Sequence, residues 1–167
     1  MLVRKYIGTY PPHIIAQVER LVQQQRLAEF IQQSYPEQHQ VGNDTALRDY
    51  ILALKNQYMR KSAPLSKVIY DSKIHIVHNA LGLHSTISRV HGDKLKRKNE
   101  IRISSLFKVA PKKFLAMIAV HELAHLKQKQ HNKAFYRLCQ SMLPDYHQLE
   151  FDTRLFLIQQ ELELSKE

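Results

Sequence analysis

The chain has one cysteine, no tryptophan and no long run of apolar residues. The lone Cys139 excludes an internal disulfide and a cysteine-based zinc knuckle, and a free thiol fits a reducing compartment. Nowhere do the about 18 consecutive apolar residues of a membrane-spanning helix occur. The N-terminal MLVRKYIGTYPP carries basic residues, but no apolar stretch of signal-peptide length follows them. A cytoplasmic protein with no membrane partner is expected. Internal repeats and low-complexity tracts are missing too. Acidic residues are scarce in one place: Arg60 to Lys113 holds 13 Lys/Arg against Asp71, Asp93 and Glu100, while the remainder holds 12 of each sign. The net charge of +10 therefore sits in the middle third, where a positive surface would attract nucleic acid or another polyanion. A solvated basic face that aids solubility explains it equally well.

What is present is ordinary for one folded domain of 167 residues, 44% apolar and 24% charged. In residues 11–33, PPHIIAQVERLVQQQRLAEFIQQ, the apolar residues recur at helical spacing behind two prolines. Asp44 or Thr45 can cap a second helix through about Met59, with Leu47, Ile51 and Leu54 on one stripe. KVIYD, KIHIVHN, HSTISRV and NEIRISS then read as strands, with HGDK at 91–94 as a hairpin turn. From Pro111 the pattern is helical again. PKKFLAMIAVHELAHLKQ is apolar on almost every side, NKAFYRLCQSML begins with Asn132 as a cap, and LEFDTRLFLIQQELEL closes the chain. The expected fold is α+β and single-domain over 1–167. An N-terminal helical part over 1–62 precedes, over 63–167, a small, mostly antiparallel sheet and C-terminal helices, the first of them packed on the sheet.

That first helix carries VHELAHLKQKQH at 120–131. Residues i and i+4 of a helix lie about 40° apart around the axis and about 6 Å along it, so His121 and His125 project from one face on successive turns. Two imidazoles so placed can grip one zinc ion, with Glu122 at the edge of the same face. A carboxylate there can take the proton of a water whose pKa the metal lowers to about 7. Shuffling this composition produces His-Glu-x-x-His in roughly 3% of cases, so the bare motif proves little. Its setting adds weight, because two histidines and a glutamate in an apolar helix are costly to bury without partners. A catalytic zinc usually takes a third protein ligand. His131 would lie about 240° round a continuous helix and about 9 Å along it, so it can serve only if the helix ends or bends near Lys127–Gln130. The rival is a carboxylate from the last helix, Glu150 or Asp152.

HELAH, five residues, then HNKAFYRL and LPDY, with IRISSLFKVAP before the motif helix, resembles the YgjP-like metallopeptidase family, which is akin to the WLM and SprT-type zinc proteases. The resemblance covers about residues 85–155. It implies a zincin-like fold, one Zn2+ per chain held by His121, His125 and His131, and Glu122 as general base. Family members carry a tryptophan-glycine-serine-cysteine stretch before the IRIS-like strand, where this chain reads HGDKLKRKNE.

Other candidates have plainer explanations beside the functional ones. Tyr136 and Tyr146 could support a developing oxyanion or simply pack. Asp145 could orient a ligand histidine or serve as a turn residue after Pro144. His75, His78, His84 and His91 define no ligand set. If IRIS is an edge strand that pairs with an extended peptide, Arg102 and Lys98 would favour acidic groups. Three functions follow: a zinc metallopeptidase acting on peptide or protein, which the motif and the resemblance favour; a metal-dependent hydrolase of another bond, such as a nucleotide phosphoanhydride, with the basic 60–113 region holding phosphates; and a nucleic-acid-associated protein with a structural metal.

Overall fold

A short N-terminal helix, α1 (Leu2–Ile7), is not announced by the hydrophobic pattern, because six residues are too few to display a period. The computed structural model describes residues 1–74 and 99–167. In it α1 buries Val3, Tyr6 and Ile7 and packs on the last helix. Tyr6 donates a 2.7 Å hydrogen bond to Glu161, and Lys5 lies 3.3 Å from the same carboxylate.

The helix expected over 11–33 is two helices, α2 (Pro12–Gln23) and α3 (Leu27–Ser34). Gln25 adopts φ 55°, the left-handed region, and two hydrogen bonds close the turn: Gln25 N–H to the Val22 carbonyl at 3.1 Å and Arg26 N–H to the Leu21 carbonyl at 2.9 Å. This is a Schellman stop, normally built on glycine. With QQQR in its place, the apolar period runs on while the backbone turns. A left-handed non-glycine residue costs roughly 1–2 kcal/mol, and glycine's extra freedom in the unfolded chain returns part of that. Gln25→Gly should therefore stabilise the protein by roughly 0.5–1 kcal/mol, seen as a thermal midpoint raised by about 1–4 °C. An unchanged or lower midpoint would contradict this reading of the turn.

The next helix, α4 (Asp44–Tyr58), is capped one residue earlier than expected: Asn43 accepts from Ala46 N–H at 2.8 Å. Asp44 is occupied elsewhere, accepting from the Tyr70 N–H of the first strand at 2.8 Å. That strand, β1 (Lys67–Asp71), pairs with β2 (Glu100–Ser104) in register Val68↔Ile101 and Tyr70↔Ile103, all four of them buried. The pairing is parallel, not antiparallel as expected. Alternating burial fixes which face of a strand looks inward but says nothing of direction, and parallel pairing requires a long connection between partners, which residues 72–99 supply. The strand readings within 75–98, the HGDK turn, Lys98 and the four histidines of that stretch lie outside the described residues. Arg102 is held in two ion pairs, 3.1 Å from Asp71 and 3.2 Å from Glu100, so its charge is met within the protein.

A short 3-10 turn, Ser105–Val109, leads from β2 into α5 (Lys112–Ala124), followed by α6 (Lys133–Met142) and α7 (Tyr146–Leu164). Helix α5 buries every residue from Met117 to Ala124, as its all-round apolar sequence requires. It lies between β2 on one side and α7 on another, with Phe114 and Phe156 rings 5.7 Å apart where the two helices meet. The motif is thus held in the middle of the core. Among the described residues no helix is long and apolar enough to cross a membrane.

Candidate metal centre

Three imidazoles converge where α5 ends. His125 is the C-cap of α5, and the chain tightens through Leu126 N–H to the Leu123 carbonyl at 3.0 Å and Lys127 N–H to the Ala124 carbonyl at 3.1 Å. It then turns back, and Asn132 caps α6 by accepting from Phe135 N–H at 2.8 Å. The end of α5 therefore falls where a third histidine ligand needs it. His125 Nε2 lies 3.2 Å from His121 Nε2 and 3.1 Å from His131 Nε2. Three nitrogens bound at about 2.0–2.1 Å in a tetrahedral shell would stand roughly 3.3 Å apart, so the spacing is that of a metal ligand set.

The other ring nitrogens show which atoms are left to bind. His125 Nδ1 lies 2.9 Å from the Gln128 carbonyl, which can only accept, so Nδ1 carries the proton and Nε2 presents a lone pair. His121 Nδ1 lies 2.7 Å from the Tyr146 hydroxyl. The Glu150 carboxylate lies near enough to that hydroxyl to help raise its pKa. A hydroxyl can accept as well as donate, and with Tyr146 accepting from His121 Nδ1–H the His121 Nε2 lone pair is left toward the cluster as well. Arg154 holds Glu150 at 3.2 Å and donates to the Tyr6 carbonyl at 2.8 Å. Lone pairs this close repel unless a cation or a proton lies between them. A divalent ion satisfies all three.

Phe135, fully buried, braces the group. Its ring centroid lies 5.1, 4.6 and 4.9 Å from those of His121, His125 and His131. His121 and His125 are themselves buried, whereas His131 is the exposed member. Burial of the His131 ring against these neighbours nevertheless holds its pKa below the usual imidazole value, which keeps it in the neutral form that binds metal. Glu122, only 4% exposed, places Oε2 4.0 Å from His121 Nε2, at the edge of the triad where the helical spacing puts it.

The remaining carboxylate candidates lie apart from the triad. Glu150 backs Tyr146 and does not join the group. Asp152 accepts from Tyr35 and from Gln148. Asp145 is an exposed residue at the start of α7, and contact with a ligand histidine comes from its neighbour Tyr146. Burial raises the Tyr146 pKa far above its ordinary value, and Glu150 adds to the rise, so this hydroxyl stays protonated. Tyr136 lies in a groove beside His131. Burial pushes the Cys139 thiol up to about 12, which makes it a core residue rather than a nucleophile. Sequence reasoning passed over Phe135, Arg154 and the Gln128 carbonyl. Tyr146, Glu150 and Arg154 stand at i, i+4 and i+8, one helix face, and that spacing was the available signal.

An α+β scaffold that holds three imidazoles and a buried carboxylate at one point defines a metal-dependent hydrolase. The chain belongs to the YgjP-like family: the family model described as YgjP-like, metallopeptidase domain, matches residues 11–153. That match takes in α2, α3 and α4 as well as the motif region. The chain is 53% identical over 161 residues to the UTP pyrophosphatase of Escherichia coli (strain K12), covering 96% of each. No solved structure matches it.

Proposed function

We propose that this protein is a zinc-dependent hydrolase of nucleoside triphosphates, acting on UTP at the bond between the α and β phosphates. The observation that carries this reading is the identity to a UTP pyrophosphatase along almost the whole of both chains, joined to a site whose chemistry is not tied to peptides. In this reading His121, His125 and His131 hold the ion, and three nitrogen donors with one open position suit zinc. A metal ion held there lowers the pKa of water and neutralises charge growing on the phosphate oxygens. Glu122 accepts the proton of the attacking water. The water oxygen bonds to the α phosphorus, the α–β bridging bond breaks, and UMP and pyrophosphate leave. His121 and His125 keep their rings fixed through Tyr146 and the Gln128 carbonyl, so little reorganisation is needed as charge develops. A cytoplasmic location fits a nucleotide substrate and a free thiol.

The family's description keeps a second reading in view, peptide hydrolysis by the same ligands and base. Purified metal-loaded protein given UTP, the other nucleoside triphosphates and a peptide library separates the two. Equal amounts of UMP and pyrophosphate, with peptides intact, are expected. Cleaved peptides beside untouched nucleotides would replace the nucleotide reading with the peptidase one.

A further inference from the structure

The triad is open on the His131 side, and a groove of about 500 Å³ begins there, lined by Lys133, Tyr136, Arg137 and His147 as well as His131. No acidic residue lines it. Lys133 and Arg137 are both exposed and stand at i and i+4 on α6, one face of one helix. Like charges at that spacing repel. Among the described residues neither has an ion pair to offset this. The Tyr136 and His147 rings lie 5.2 Å apart and form the groove's aromatic part, where His147 can donate a hydrogen bond whether neutral or charged. His121, His125 and Glu122 are almost wholly buried, so His131, which also lines the groove, is the member of the triad that reaches the described surface.

We propose that the groove is the anion subsite of the active centre, with Lys133 and Arg137 binding the phosphate chain of the nucleotide and neutralising the departing pyrophosphate. The proposal rests on the nucleotide reading above for the identity of the anion. It differs from the sequence expectation that residues 60–113 hold the phosphates. Two unpaired cations on successive turns attract a multiply charged chain and gain little from a neutral peptide backbone, and a guanidinium adds the fork geometry that fits phosphate oxygens. Binding charge on the leaving group also favours the transition state over the ground state, because that charge grows as the α–β bond breaks.

The test uses the full metal-loaded protein, with Lys133→Gln, Arg137→Gln, the double variant, the charge-preserving pair Lys133→Arg/Arg137→Lys, and Lys166→Ala as a charge control near the opposite end of α7. Pyrophosphate and α,β-methylene-UTP are titrated by calorimetry, and kcat and KM for UTP are measured beside metal content. The double variant is expected to keep its metal, to bind pyrophosphate at least about tenfold more weakly and to raise KM for UTP by a similar factor, with UMP affinity little changed. The charge-preserving pair should recover most of the binding, and Lys166→Ala should behave as wild type. Pyrophosphate affinity and KM within twofold of wild type in the double variant would overturn the subsite and leave UTP hydrolysis standing. A wild type that binds pyrophosphate through these two residues but turns over no nucleotide would support the subsite and overturn the proposed activity. A wild type that binds neither pyrophosphate nor the analogue would overturn the subsite whatever the turnover shows.

Discussion

Glu122→Gln should keep its full metal content and lose about 10²–10⁴-fold in kcat. Glutamine fills the same volume and can still hydrogen-bond, but its amide cannot take a proton at neutral pH. The side chain lies beside the triad, 4.0 Å from His121 Nε2, yet the three ring nitrogens form the ligand group without it. Removing its charge should therefore leave the ligand set intact while removing the base. Metal content by mass spectrometry and kcat for UTP, measured on one preparation, distinguish the two contributions. Hydrolysis kept within a few-fold of wild type would sink the base assignment, and lost metal would make Glu122 part of the ion's support instead. KM should change little, because the groove along α6 and not this carboxylate meets the phosphates in the reading above.

The second large effect is expected at the third ligand. His131→Ala should strip the ion, because two nitrogens alone cannot complete a catalytic zinc shell. Glu150→Ala should retain it with affinity reduced by about 10–100-fold, the usual consequence of losing a partner behind a ligand. Without the carboxylate, the charge beside the Tyr146 hydroxyl and the anchor of Arg154 are both lost, and the contact that fixes the His121 ring is less firmly held. Equilibrium dialysis against buffered zinc reads both variants on one scale. The opposite pattern, metal kept by His131→Ala and lost by Glu150→Ala, would transfer the third position to the carboxylate.

His121, Glu122 and His125 were legible from the sequence because a single helix carries them, and helix geometry alone says which side chains share a face. His131 was legible only conditionally, since its use depends on where α5 stops. KQKQ contains no glycine, and the stop is made by backbone hydrogen bonds that composition does not reveal. The break at Gln25 escaped notice for the same reason. Strand direction was beyond reach of the pattern, because alternation is identical in parallel and antiparallel pairs. The support behind the triad was hidden differently. Tyr146, Glu150 and Arg154 share a helix face in plain view, but that they back His121 depends on α7 lying against α5, and Arg154 finishes on a carbonyl of α1. Composition did suggest a polyanion partner, while the described cations beside the triad sit on α6, outside the segment where the excess charge accumulates.

The hydrogen bond from Arg154 to the Tyr6 carbonyl ties the first helix of the chain to the side chains packed behind His121. Both ends of that link lie beyond the family match, which begins after Tyr6 and stops at residue 153, one short of Arg154. A fragment trimmed to the matched span would lose α1, the brace behind Glu150 and the buried run Leu155–Ile158 together. The segment that kinship marks out is thus smaller than the segment that holds the three imidazoles in place, and the least recognisable residues of this protein are part of its foundations.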